Sequence, residues 1–132
     1  MIVVDSSVWI DHLNDVETGP TASLRRLIRG DASRPLLIGE LILFEVLWGL
    51  RGQEAVTRIR AMFDAYVLVS MLDLDLVPRA VANYHALRRR GITPGTVDVI
   101  IGTWCIETGA ELLTADRDFE PLRDHLGLRL AA

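Results

Sequence analysis

The sequence predicts an α/β fold of three layers, α/β/α, with a central parallel sheet of four to five short strands. Three observations predict it. Short apolar runs rich in Val, Ile and Leu recur along the chain, and helical stretches separate them, the alternation expected of a parallel sheet covered on both faces. Most Gly and Pro punctuation falls between these runs and stretches. The chain has 132 residues, half of them apolar and 24% charged, with no repeat and no linker, so residues 1–132 are read as one domain.

The elements follow in order. Ile2-Val3-Val4 is a β-branched run that ends in Asp5, the profile of a buried parallel strand. Ser6 or Ser7 is expected to cap a short helix over Val8 to Leu13. Gly19-Pro20 reads as a break, and Thr21 to Ile28 as a helix with Leu24, Leu27 and Ile28 on one side. Arg34-Pro35 interrupts before a second strand, Leu36 to Ile38. An apolar helix follows from Glu40 to Leu50, closed by Gly52, then a helix from Glu54 to Phe63 and a third strand from Tyr66 to Val69. Val77, Ala80, Val81, Tyr84 and Leu87 give Asp75 to Arg90 a helical period, with Pro78 in the first turn and Gly91 after the end. Val97 to Thr108 is another apolar helix, ended by Gly109. Glu111 to Thr114 reads as the fourth strand, Phe119 to Leu126 as the last helix and Leu128 to Leu130 as a fifth strand.

Bulk properties narrow the function. The lone Cys105 allows no internal disulfide and suits a cytoplasmic protein. The start Met1-Ile2-Val3-Val4-Asp5 has no basic n-region and is not read as a signal peptide, and no apolar run reaches the roughly 20 residues of a bilayer span, so no membrane role is expected. A net charge of −4 argues against a simple nucleic-acid clamp. It does not exclude a nuclease, because carboxylates that hold divalent cations lower the formal charge while the bound ions restore positive potential.

Four acids sit badly for a plain core. Asp5 and Asp116 follow strands and fall at the carboxyl edge of the predicted sheet, where ligands gather in such folds; either could equally cap a helix. Glu45 has Leu41, Ile42, Trp48 and Gly49 three and four positions away, an apolar face where an unpaired charge costs several kcal/mol. Asp98 lies in a first helical turn among Val97, Val99, Ile100 and Ile101, where it also favours the helix dipole. A salt bridge from elsewhere would satisfy Glu45. If all four converge, they make a hard-oxygen centre suited to Mg2+, which pairs with substrate phosphates and promotes phosphodiester hydrolysis.

The ordered pieces Ile2-Val3-Val4-Asp5-Ser6-Ser7-Val8-Trp9-Ile10-Asp11, Phe44-Glu45-Val46-Leu47-Trp48-Gly49-Leu50, Thr96-Val97-Asp98-Val99-Ile100-Ile101 and Leu113-Thr114-Ala115-Asp116-Arg117-Asp118-Phe119 cover essentially the whole chain. Together they resemble PIN-domain ribonucleases of the VapC type, the toxins of bacterial toxin–antitoxin pairs. The resemblance implies an Mg2+- or Mn2+-dependent endoribonuclease with Asp5, Glu45, Asp98 and Asp116 as its acidic quartet. Asp5, Asp98 and Asp116 would be the metal ligands. Asp118 resembles a fifth acid that binds a second metal or acts through water, and Ser7 and Thr114 match hydroxyls that orient carboxylates. It also implies an RNA substrate, a homodimer and a toxin–antitoxin hetero-oligomer in which a cognate antitoxin silences the site. Glu40 precedes Glu45 by five residues, about 140° round a helix, so only one of them can face the pocket. Glu45 is preferred because it precedes Val46-Leu47-Trp48-Gly49 as in the family, and Glu40 suits a first turn.

Other residues read as ordinary. His12, His85 and His125 lack paired spacing, Cys105 reads as a core thiol, and Trp9, Trp48 and Trp104 as core or interface bulk, Trp9 close enough to Asp5 to border the pocket. Arg25, Arg26 and Arg29 read as a solvated face; for Arg88-Arg89-Arg90 the helix dipole is at least as good an explanation as RNA contact. Two further functions compete. A haloacid-dehalogenase-like phosphatase with an Asp5 nucleophile also begins strand-Asp, but it usually has an acid where this chain has Ser7, and it needs a lysine where this chain has none. A catalytically inactive regulatory binding module remains the reading outside enzymology.

Overall fold

A computed structural model describes residues 1–30 and 34–132. Its elements in chain order are β1 (Ile2–Val4), α1 (Ser6–Leu13), α2 (Gly19–Ile28), β2 (Leu36–Gly39), α3 (Glu40–Trp48), α4 (Gln53–Met62), β3 (Val67–Val69), α5 (Leu76–Arg89), α6 (Thr96–Thr108), β4 (Glu111–Leu113), α7 (Glu120–Leu126) and β5 (Arg129–Leu130). Single 3-10 turns at Phe63–Ala65 and Arg117–Phe119 precede β3 and α7. The strands form one sheet in the order β3-β2-β1-β4-β5, every pair parallel.

That order makes a switch point. The chain steps outward from β1 through β2 to β3, then crosses back by α5 and α6 to lay β4 on the other side of β1, with Val4 opposite Leu113. The carboxyl ends of β1 and β4 therefore flank the crevice expected at such a switch point, the usual ligand position in such sheets. β1 is central and its three residues are fully buried, which is why a continuous β-branched run suits it. At the edge, β3 leaves Val67 and Leu68 exposed. Trp9 is buried edge-on against Phe63, with ring centroids 4.9 Å apart, and so anchors the core and does not border the crevice.

Three local expectations give way. Ser6 and Ser7 both lie inside the first turn of α1, with Asp5 as the extended residue before it, because their hydroxyls are drawn to carboxylates. Gly19-Pro20 opens α2 instead of breaking the chain: Thr18 caps the helix reciprocally with Thr21, and proline costs no hydrogen bond in a first turn. α3 ends at Trp48 with Gly49 as its cap, and Gly52, at φ 84, instead leads into α4.

α5 and α6 pack antiparallel. Arg79 at the start of α5 reaches Glu107 near the end of α6 at 3.5 Å, and one turn on, Asn83 donates to the buried Thr103 at 2.9 Å. α6 is held against α7 at Gly102, where an added Cβ would overlap the fully buried Leu122 side chain. Gly102→Ala is expected to cost about 1–3 kcal/mol through overpacking, lowering Tm by roughly 3–15 °C. An unchanged thermal melt would show that α7 yields and does not fix α6.

Candidate metal centre

The acids arrive at the crevice from separate elements. Asp5 is the first residue past β1 and is 4% exposed. Its Oδ2 accepts hydrogen bonds from Ser7 Oγ at 2.8 Å and Thr114 Oγ1 at 2.9 Å, and Ser7 Oγ also accepts from the Ala115 backbone N–H at 3.1 Å. Burial raises the Asp5 pKa, and the two hydroxyls offset part of that rise. The hydroxyls therefore orient a carboxylate across the seam between β1 and β4 without neutralising it.

Asp116 and Asp118 come from the turn after β4. Asp116 Oδ1 accepts the Asp118 backbone N–H at 2.8 Å, and the Asp116 N–H donates to Thr114 Oγ1 at 3.0 Å. Asp98 enters from the first turn of α6. Asp98, Asp116 and Asp118 each offer a carboxylate oxygen within 4.8 Å of the other two. Asp5 stands beside this trio and is not a member of it, while Asp118 completes it. Burial, reinforced by the charges of Asp116, Asp5, Glu45 and Asp118, raises Asp98 to about 6.

Glu45 joins from α3. Its Oε1 accepts from Ser6 Oγ at 3.1 Å, and burial, then the charges of Asp5 and Asp116, hold its pKa above the ordinary value. Glu40 turns elsewhere: both its oxygens take the backbone N–H of the buried Met71, at 2.7 and 2.9 Å. The helix register thus places Glu45, not Glu40, among the other acids. Ser6 is the residue of this group that the sequence reading missed as a site residue. Only the long-range contact between α1 and α3 reveals its partner, so no local signal could have found it.

Among the described residues, none of Asp5, Glu45, Asp98, Asp116 and Asp118 is paired with an arginine. Gly95, just before α6, leaves open the space where an added Cβ would lie 3.2 Å from Asp98 Oδ2. Cys105 is buried, and its thiol is pushed up to about 12, so it is inert.

An α/β sheet whose crevice gathers unneutralised carboxylates defines an acidic-centre domain, and the wider comparison specifies it. The profile of the PIN domain matches residues 2–124, and the chain belongs to that family. It is similar to ribonuclease VapC11 of Mycobacterium tuberculosis, 26% identical over 133 residues that cover all of this chain and 98% of that protein. Among solved structures it resembles VapBC2 of Rickettsia felis bound to a DNA fragment from their promoter, with a TM-score of 0.77, 16% identity, and 99% and 98% of the two chains covered. It also resembles VapC20 of M. tuberculosis, described as a toxin that cleaves the sarcin–ricin loop, with a TM-score of 0.65, 20% identity and coverages of 98% and 99%. PIN nucleases generally use a divalent metal, and the residues here fit one: the donors are hard oxygens, drawn together without a competing guanidinium among the described residues.

The electrostatics set a sign. Because the folded-state pKa of Asp98 is raised to about 6, ionising it costs stability. That cost is absent below about pH 4, grows as pH rises through the interval up to about 6, and is fully present above it. Asp5 and Glu45 are shifted in the same direction. The chelated protein is therefore expected to gain stability as pH falls from 7.5 to 5, and Asp98→Asn to stabilise it at pH 7.5 by on the order of 1 kcal/mol after solvent screening. Paired thermal melts in chelator check this; destabilisation by Asp98→Asn would contradict it.

Proposed function

We propose that this chain is a divalent-metal-dependent endoribonuclease that acts as a VapC-type toxin and is silenced by a cognate antitoxin. The observation that carries the proposal is the trio of Asp98, Asp116 and Asp118 oxygens within 4.8 Å, flanked by Asp5 and Glu45 and balanced by no arginine among the described residues. Asp98 and Asp116 would hold Mg2+, with Mn2+ as a competent substitute, Asp5 would complete the donor set, and Asp118 would stand beside it. The bound ion supplies Lewis-acid polarisation of the phosphodiester and lowers the pKa of water at the site.

The chain's own residues do the rest. Ser7 and Thr114 lock the orientation of the Asp5 carboxylate, so it meets the cation without reorganising. Ser6 engages Glu45 Oε1 and leaves Oε2 to take a proton from the attacking water, a role suited to a carboxylate that burial holds above its ordinary pKa. Protein partners have surfaces to meet. Phe44 and Trp48, 60% and 78% exposed, stack at 5.5 Å beside Glu45 on α3, where an antitoxin segment would cover them and the acids together. A second apolar face, a groove of about 220 Å3 with Leu72, Val77 and Val81 on its walls, suits the homodimer.

The competing readings lack such support. A phosphatase of that kind needs a lysine, and the chain has none. An inactive binding module would not need to keep five acids together without counter-charge.

RNA incubated with the purified protein is expected to be cut internally with Mg2+ or Mn2+, to survive in chelator, and to be cut at least about 100-fold more slowly by Asp98→Asn. Robust cleavage in excess chelator would overturn the assignment. A subtler variant separates the site from the fold. At Gly95, φ −66 and ψ 148 admit alanine, so Gly95→Ala should melt at or slightly above the wild-type temperature. Its methyl nevertheless crowds Asp98 Oδ2, so Mn2+ affinity measured by calorimetry is expected to fall by about 10-fold. Unchanged affinity would mean that Asp98 is not a ligand in this rotamer.

A further inference from the structure

An anionic centre in a protein of net charge −4 must still attract a polyanion, and the metal alone neutralises only its own ligands. All 14 cationic side chains are arginines, and six of them are matched to acids: Arg25 to Glu17, Arg34 to Glu111, Arg60 to Asp64, Arg79 to Glu107, Arg117 to Glu120 and Arg123 to Asp124. Arg88, Arg89 and Arg90 stand apart as a consecutive run. They are exposed, and among the described residues none is paired with a carboxylate.

Their position follows from the α5–α6 pairing. Arg79 lies opposite Glu107 and Asn83 opposite Thr103, four residues down one helix for four up the other. Continued by one more turn, that count brings the end of α5, with the buried Leu87, toward the level of the first turn of α6, which carries Asp98. Packed helix axes lie roughly 8–10 Å apart, so the last turn of α5 runs beside the first turn of α6 that carries Asp98. Arg88 also donates to Thr93 Oγ1 at 2.5 Å, which ties its side chain to the loop that leads through Gly95 into α6. The helix dipole favours cations at this end, but it does not account for three in a row.

We propose that Arg88, Arg89 and Arg90 form a phosphate-gripping rail that holds the RNA backbone alongside the acid centre. The inference rests on the ribonuclease reading and deepens it by assigning the substrate track. Guanidinium groups bind phosphate through paired N–H donors and keep their charge at any working pH. A rail level with Asp98 draws the strand past the carboxylates and positions the phosphodiester next to those under the arginines. The contacts are to the backbone, so the rail contributes affinity and register and leaves sequence choice to other residues.

The test compares Arg88→Gln/Arg89→Gln/Arg90→Gln with a control that removes the same charge from exposed arginines without an acid partner elsewhere, Arg26→Gln/Arg29→Gln/Arg58→Gln. Binding of a fluorescent single-stranded RNA is measured on an Asp98→Asn background across a salt series, and cleavage on the otherwise native chain with Mn2+. Each backbone phosphate released from contact lowers the slope of log affinity against log salt by about 0.7, so the rail variant is expected to lose a slope of about 2 and to raise KM at least 10-fold. Its kcat, its melting temperature and its calorimetric affinity for Mn2+ alone should stay near wild type. The control should keep the wild-type slope. Equal losses in both triples would reduce the effect to net charge and overturn the rail, as would an unchanged slope and KM in the rail variant. Failure of the native chain to cleave any RNA would instead sink the ribonuclease reading itself, so the two failures are distinguishable.

Discussion

Repulsion among carboxylates at the β1–β4 crevice is the constraint around which the rest of this protein is arranged. Two carboxylates within 4.8 Å repel by roughly 3 kcal/mol at an effective dielectric near 20, and here five acids share one opening. Ordinary folding would relieve that strain with an arginine or by moving an acid out to solvent. Among the described residues no arginine is drawn in, and of the five acids only Asp118 is exposed. The buried β1, flanked by β2 and β4, fixes Asp5 rigidly at a strand end, and the stability of that sheet is what tolerates an electrostatically unfavourable edge.

The hydroxyls around the acids show how the chain holds carboxylates without neutralising them. A serine or threonine donor orients a carboxylate and contributes a charge-assisted hydrogen bond, yet brings no positive charge. Ser7 and Thr114 do this for Asp5, and Ser6 does it for Glu45. A guanidinium at any of these places would satisfy the acid permanently and leave nothing for a cation to do. Many of the arginines are instead engaged away from the crevice, as with Arg34 against Glu111 at the amino end of β4 and Arg129 against the Gly109 carbonyl. The separation of charge is therefore a property of the tertiary fold and is not visible in the composition.

Much of this was legible in the sequence, for reasons that differ by residue. The strands were legible because a buried parallel strand needs a continuous β-branched or leucine run, and Ile2-Val3-Val4 supplies one with no competing periodicity. Asp5 and Asp116 were legible because each follows such a run. Helix geometry showed that only one of Glu40 and Glu45 could face the pocket, the family resemblance after Glu45 made the choice, and the fold puts Glu40 on Met71, away from the other acids. Ser6 and Ser7 were misread as caps because local propensity favours capping; Ser7 was legible as a carboxylate-orienting hydroxyl only through the family resemblance, and Ser6 finds its carboxylate only through the approach of α3. Asp118 could be given no more than a supporting part, since its place depends on a turn in which its own N–H folds back to Asp116. Gly19-Pro20 failed as a break because the cap that precedes it, Thr18 with Thr21, is a stronger helix signal than the dipeptide is a stop.

The α5–α6 hairpin is the element whose meaning the sequence hid most completely. Its periodicity announces two helices, but periodicity carries no register between them. The register depends on Arg79 meeting Glu107 and Asn83 meeting Thr103, pairs that no local rule connects. Once set, it does two things at once: it points Asp98 into the crevice, and it lays the Arg88–Arg90 turn alongside. Gly102 then locks the arrangement from the far side, because only a residue without Cβ lets α6 sit down on Leu122. A change at that contact shifts the depth of α6, and Asp98 moves with the helix that carries it. Packing one helical turn from Asp98 thereby bears on the acid that would hold a cation.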